Sequence, residues 1–248
     1  MKTLKNKFYG IVIAIAFTIP LILITAGCGC NEPSSANAII TQNETLVAIG
    51  IDLSQSVDGF RKVDTSFIAR VCRAIAKTGG FIVVYGIGEP NDKSGLRCYL
   101  KHVPAIDAEL ILSQQAEMKQ ANDRLKSYND QQIREFIKVV EEQVLGPPRQ
   151  GLSTKHTDIE GFFKKIDILV GEPETRQMTK YVFAYTDGIQ SLDGPDRPCA
   201  YNFENSGEFS LCLAGWKTAL PSKVLTVKQF EDPEGFAKYM ESINSQTL

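Results

Sequence analysis

The sequence predicts an α/β fold, a three-layer α/β/α sandwich around a central, mostly parallel sheet. Three observations predict it. Leu46 to Leu53 (LVAIGIDL) is a short apolar run of the kind that forms a strand buried on both faces. Phe60 to Lys77 follows, with Val63, Phe67, Ile68, Val71 and Ile75 at helical spacing. After Gly79-Gly80, which stops the helix, Phe81 to Ile87 is a second buried-type run. Strand, helix and strand make a βαβ unit, whose crossover is right-handed by rule.

The chain ahead of this unit sets its compartment. Lys2, Lys5 and Lys7 precede an uncharged apolar run from Phe8 to Ala26 that ends in small residues, the anatomy of a secretory signal. Thr25-Ala26-Gly27-Cys28 resembles a bacterial lipobox, with threonine in place of the usual aliphatic residue, and implies acylation of Cys28. An uncleaved membrane anchor is the alternative, since the run is nearly long enough to span hydrocarbon. Both put the fold outside the cytoplasm. Residues 1–27 are thus read as a lipoprotein signal peptide and 28–43, rich in Ser, Asn, Pro and Ala, as a flexible tether. The domain is expected over 44–248.

Beyond the βαβ unit, Leu96 to Val103 is expected as a strand. A long polar helical stretch follows from Asp107 to Leu145, with a possible break at Ser127 to Asp130, ended by Gly146-Pro147-Pro148. A loop reaching His156 leads to a helix with Ile159, Phe162, Phe163 and Ile166 on one stripe. Tyr181 to Tyr185 is another buried-type strand, followed by Thr186-Asp187-Gly188 and a long loop through Glu204. Phe209 to Leu213 and Lys223 to Val227 read as the last strands and Pro233 to Ile243 as a closing helix. No internal repeat is visible.

A formal net charge of -2 gives no electrostatic case for nucleic acid as a partner. Besides Cys28, five cysteines remain: Cys30, Cys72, Cys98, Cys199 and Cys212. They cannot all pair within one chain, and none has structural-zinc spacing. A Cys199–Cys212 disulfide is one possible pairing in an oxidising compartment.

The chemistry concentrates at the end of the first strand. Asp52, Ser54 and Ser56 form DxSxS there, at the edge where open α/β sheets bind ligands. A carboxylate and two hydroxyls are hard oxygen donors, suited to Mg2+ or Mn2+. Further donors are available in Thr157, before a helix, and in Asp187, directly after a strand. Helix capping by the serines and a turn role for Asp187 are the structural alternatives.

DxSxS, a loop threonine and an aspartate after the fourth strand together resemble the metal-ion-dependent adhesion site of von Willebrand factor A domains. The resemblance runs from about Glu44 to the C-terminus, with the helical stretch at about 107–145 as an insertion and the poorest match. It implies Ser54, Ser56 and Thr157 as hydroxyl ligands, with Asp52 and Asp187 binding directly or through water. It also implies a binding module with no catalytic step, whose ion meets an Asp or Glu carboxylate on a protein partner. The expected site is a lipid-anchored domain on the cell membrane or outer membrane, facing periplasm or exterior.

Other chemistries have less support. Ile49 to Ser56 (IGIDLSQS) is similar to the phosphate-binding opening of actin-like and sugar-kinase ATPases, but Ser54 replaces the glycine that lets backbone approach phosphate. A metal-dependent hydrolase of the haloacid-dehalogenase type needs a second carboxylate where Ser54 stands. A Ser-His-Asp set has only His102 and His156 to draw on, and no GxSxG elbow. A base near the ion would come from Asp158 or Glu160. Gly86-Ile87-Gly88 is a lone GxG.

Overall fold

The structure, a computed structural model, describes residues 44–54, 63–88, 95–145, 156–192, 194–205, 208–221, 224 and 226–243. All fall in one compact unit, Thr41–Leu248. Cys28, Ser56 and the expected signal and tether lie outside the described residues.

Six strands form the central sheet, in the order β3-β2-β1-β4-β7-β8. In chain order these are β1 (Thr45–Asp52), β2 (Gly80–Ile87), β3 (Leu96–Leu100), β4 (Thr179–Tyr185), β7 (Ser210–Ala214) and β8 (Thr226–Phe230), while β5 (Ile189–Gln190) and β6 (Arg197–Pro198) make a separate short hairpin. Only β3 runs antiparallel within the central sheet. The helices are α1 (Thr65–Ile75), α2 (Leu112–Val140, continued by a π-helical turn Glu141–Leu145), α3 (Ile159–Gly171) and α4 (Pro233–Ile243). The α/β/α sandwich is therefore the architecture observed.

Alternation along the strands decides the two layers. Val47, Ile49 and Ile51 of β1 pack with Phe67, Ile68 and Val71 of α1, with Phe236 and Met240 of α4, and with Ile133 and Phe136 of α2. Leu46 and Ala48 face the other way, toward Phe162, Phe163 and Ile166 of α3. This second layer is completed by a non-helical aromatic segment, where Phe163 meets the rings of Phe203 at 4.8 Å and Trp216 at 6.3 Å between centroids. Every residue of β1 is buried, as its continuous apolar run requires.

Several boundaries differ from the sequence reading, each for a local reason. β3 ends at Leu100 rather than Val103, because Asn129 of α2 takes both backbone groups of Lys101: its Oδ1 accepts from the amide at 2.9 Å and its Nδ2 donates to the carbonyl at 2.8 Å. The same contact explains why α2 does not break at Ser127 to Asp130. Asn129 points inward, while Ser127 donates to the Asp123 carbonyl at 2.9 Å within the helix. α2 begins at Leu112, since Asp107 to Leu110 form a turn in which Asp107 accepts from the Glu109 amide. α1 begins at Thr65, where Asp64 caps it by accepting from the Phe67 amide at 2.9 Å.

The Cys199–Cys212 bridge is not formed. All four described cysteines are free and buried. Cys212 belongs to the layer with α1 and α4 and Cys199 to the layer with α3, so the sheet stands between them. Among the described residues no helix is long and apolar enough to cross a membrane.

Candidate functional site

The sheet order reverses at the β1/β4 boundary: β2 and β3 continue to one side of β1, β7 and β8 to the other side of β4. Ligand crevices of open α/β sheets lie outside the carboxyl ends of the strands at such a switch point. Asp52 is the last residue of β1, and Thr186-Asp187 directly follow β4.

Parallel pairing joins the two ends. Ile51 sits opposite Tyr185, the last pair of the ladder. One residue further on, Thr186 donates its hydroxyl hydrogen to Asp52 Oδ2 at 2.7 Å. Asp52 Oδ1 accepts from the Ser54 amide at 2.8 Å. Asp52 is fully buried, and Ser54 and Asp187 are 5% exposed. Burial raises the Asp52 carboxyl above its ordinary range, against the hydrogen bonds from Thr186 and Ser54, and the nearby Asp187 charge adds to the rise.

Asp187 is aimed by a tight turn. Its Oδ1 accepts from the Ile189 amide at 3.0 Å, and Gly188 between them has φ +82°, where a side chain would also strike Thr218 and Trp216. The turn leads into β5, and from there Gln190 and Ser191 reach across to the start of α3. Gln190 Oε1 accepts from the amides of Ile159 at 2.7 Å and Glu160 at 3.1 Å, so it caps the helix from outside. Ser191 Oγ accepts from the Thr157 amide at 2.7 Å, and the Ser191 amide donates back to the Thr157 carbonyl at 3.1 Å. Thr157, 1% exposed, is thereby tied to the loop that carries Asp187.

Four of the five residues expected at a cation site are described. Asp52 and Asp187 are brought to one edge, Ser54 is fixed to Asp52, and Thr157 is fixed to the Asp187 loop; Ser56 lies outside the described residues. Thr186, Gln190 and Ser191 were not anticipated. Thr186 was accessible in principle from aligning the ends of two parallel strands, whereas nothing in the sequence distinguishes Gln190 or Ser191 from ordinary loop residues.

The donor set fits a small hard dication. Two carboxylates offer about eight acceptor positions; besides the three hydrogen bonds given above, the Ser54 hydroxyl also binds Asp52, and lone pairs remain for an ion. Among the described residues neither carboxylate pairs with Lys, Arg or His. Adjacent buried carboxylates without a cationic partner are electrostatically costly, and an ion bound by them removes the cost. There is no cluster of three or more His, Cys, Asp or Glu suited to a metal among the described residues. A site of two carboxylates and hydroxyls is of a different chemical kind.

The other candidate groups have structural occupations. Asp158 caps α3, accepting from the Gly161 amide at 2.9 Å and from Gln190 Nε2 at 3.2 Å. Glu160 accepts both guanidinium nitrogens of Arg197, which holds its carboxyl below the usual range. His156 Nδ1 donates to the Ser191 carbonyl at 3.1 Å. The Ser54 amide, at the position where an ATPase would offer backbone to phosphate, is spent on Asp52. No model of a known protein family matches the chain, and no curated protein matches it.

Proposed function

We propose that the chain is a von Willebrand factor A-like binding module that holds Mg2+ or Mn2+ at Asp52, Ser54, Ser56, Thr157 and Asp187 and through it captures a protein partner. The observation that carries the proposal is the pair of buried carboxylates at the sheet's switch point, which have no basic partner among the described residues. An ion held there supplies a direct contact for an Asp or Glu carboxylate of that partner. Asp52 stays anchored by Thr186 and the Ser54 amide, so it presents its remaining lone pairs without reorganising. Thr157 is held by Ser191, which ties the loop before α3 to the loop after β4.

Selection of the partner falls to the loop from Gly188 to Glu204. Its Arg197 is clasped by Glu160 at 2.5 and 2.8 Å, and Glu160 also accepts from the Ala200 amide at 3.1 Å. A pinned loop beside a polar crevice is the arrangement that gives selectivity on a rigid scaffold. The reading includes no catalytic step, and it is supported by the engagement of Asp158 with the start of α3 and of Glu160 with Arg197. The lipobox-like Cys28 completes the reading, with the domain held at a membrane outside the cytoplasm.

The test is capture of partner proteins from an envelope extract by the lipidated chain. Capture should require divalent cation, fail in chelator and return when Mg2+ is restored. Undiminished capture in chelator would move the binding surface away from Asp52 and refute the proposal. Labelled fatty acid should enter the wild-type chain and not the Cys28→Ala variant; incorporation into the variant would remove the anchor.

A further inference from the structure

At the opposite edge of the sheet, where β2 begins, the structure holds a pocket of about 510 Å³. This is within the usual size of small-molecule sites. It lies between the C-terminal end of α1, the segment that follows β3, and the middle of α2. Ala76, Val103, Pro104, Ile106 and Ile133 give it apolar walls. Arg73, Lys77 and Lys126 stand among its lining, with Asp130 as the one carboxylate.

The polar groups inside it are unequal. Asn129 uses both its oxygen and its nitrogen on Lys101. Asn122, 5% exposed, donates through Nδ2 to the Pro104 carbonyl at 2.7 Å, while its Oδ1 accepts nothing from the described residues. A buried amide oxygen without a donor, lining a pocket, calls for a ligand or solvent donor. Arg73 and Lys126 form no ion pair among the described residues. Arg73 complements the C-terminal dipole of α1. Lys126 has no such role, since it sits mid-helix on α2, so positive charge approaches the opening from two separate elements.

We propose that this pocket binds a small amphipathic monocarboxylate, its apolar body against Val103, Pro104 and Ile133, its carboxylate toward Arg73 and Lys126, and a donor group toward Asn122 Oδ1 where it has one. Asp130 and the last carbonyls of α1 offset part of the positive charge, so a monoanion matches better than a phosphate-like dianion. The proposal is independent of the cation site, which lies at the other end of β1 and β2.

The experiment uses the full chain in neutral-lipid nanodiscs, with chelator present so that no ion at Asp52 can attract the carboxylate. Hexanoate and hexylamine are titrated separately, with empty nanodiscs as blank, and binding is read by saturation transfer to the ligand. Hexanoate should bind saturably and about tenfold more tightly than hexylamine, and Arg73→Glu with Lys126→Glu should weaken it about tenfold. Both side chains are exposed, so circular dichroism of the double variant should match wild type. Asp52→Asn should bind hexanoate like wild type. Failure of hexanoate to bind, equal binding of hexylamine, or a double variant that binds like wild type would each overturn the proposal.

Discussion

The two edges of the sheet carry polar groups of opposite sign, built on opposite principles. At the carboxyl edge Asp52 and Asp187 are buried and lack a cationic partner among the described residues, yet the amides of Ser54 and Ile189 and the hydroxyl of Thr186 hold them in place. At the amino edge Arg73 and Lys126 are exposed, the buried Lys180 ammonium donates to the Arg176 carbonyl at 3.0 Å, and the buried amides bind backbone: Asn129 at Lys101 and Asn122 at Pro104. Neutral buried amides with partners stabilise a fold, whereas buried like charges destabilise it. The difference teaches where the fold buries like charge at a cost and where it buries polar groups that already have partners.

The sharpest way to break this comparison is Asp52→Asn. Asparagine keeps an oxygen for the Ser54 amide but removes one of two adjacent negative charges. Cation binding should fall below detection, while in chelator the variant should be at least as stable as wild type. The sign follows from linkage. Burial raises the folded-state pKa of Asp52 above its ordinary 3.8, so the native state binds protons more tightly than the unfolded chain. This group's contribution to stability in chelator is therefore best below that value and declines as pH rises through the folded pKa. Urea unfolding across that range should show the decline in wild type and its loss in the variant; a large destabilisation of Asp52→Asn at neutral pH would contradict the cost assigned to the carboxyl edge.

Asn129→Ala acts on the other side of the comparison. It orphans the amide and carbonyl of Lys101, and a loss of about 2 kcal/mol in urea unfolding is expected. Cation affinity should be unchanged, because the contact lies at the amino edge. A variant as stable as wild type would show that α2 does not depend on this amide to dock.

Ser191→Ala sharpens the account of the carboxyl edge with the smallest effect. The variant loses the acceptor for the Thr157 amide but no proposed ligand. Supporting residues of this kind commonly contribute about tenfold in metal affinity. Isothermal titration should show that reduction with little change in stability, and unchanged affinity would make the Thr157 tie structural only.

The same contrast explains what the sequence made legible. β1, β2 and β4 are buried on both faces, so their apolar runs announce them, and α4 is bounded as its pattern predicts, at Pro233 and Ile243. α2 is mostly polar; its C-terminal half docks through Ile133, Phe136 and Val140, but its middle docks through Asn122 and Asn129, residues that composition assigns to breaks or solvent. Its continuity was therefore hidden. At the site, Asp52 and Asp187 were visible because the first ends a buried strand and the second follows one by two residues. The contacts that hold Thr157 were not, since Gln190 and Ser191 come from a loop whose path no periodicity records. The opposite placement of Cys199 and Cys212 was likewise invisible, because it depends on which face of the sheet each residue meets.

The central claim is that the two carboxylates at the switch point form one cation site. Calorimetric titration of the chelator-stripped chain with Mg2+ and with Mn2+ tests it most directly, alongside Asp52→Asn and Asp187→Asn. Wild type should bind one ion saturably, and each variant should lose that binding while keeping its circular dichroism spectrum. Absence of saturable binding in wild type, or binding of equal affinity in both variants, would contradict the account.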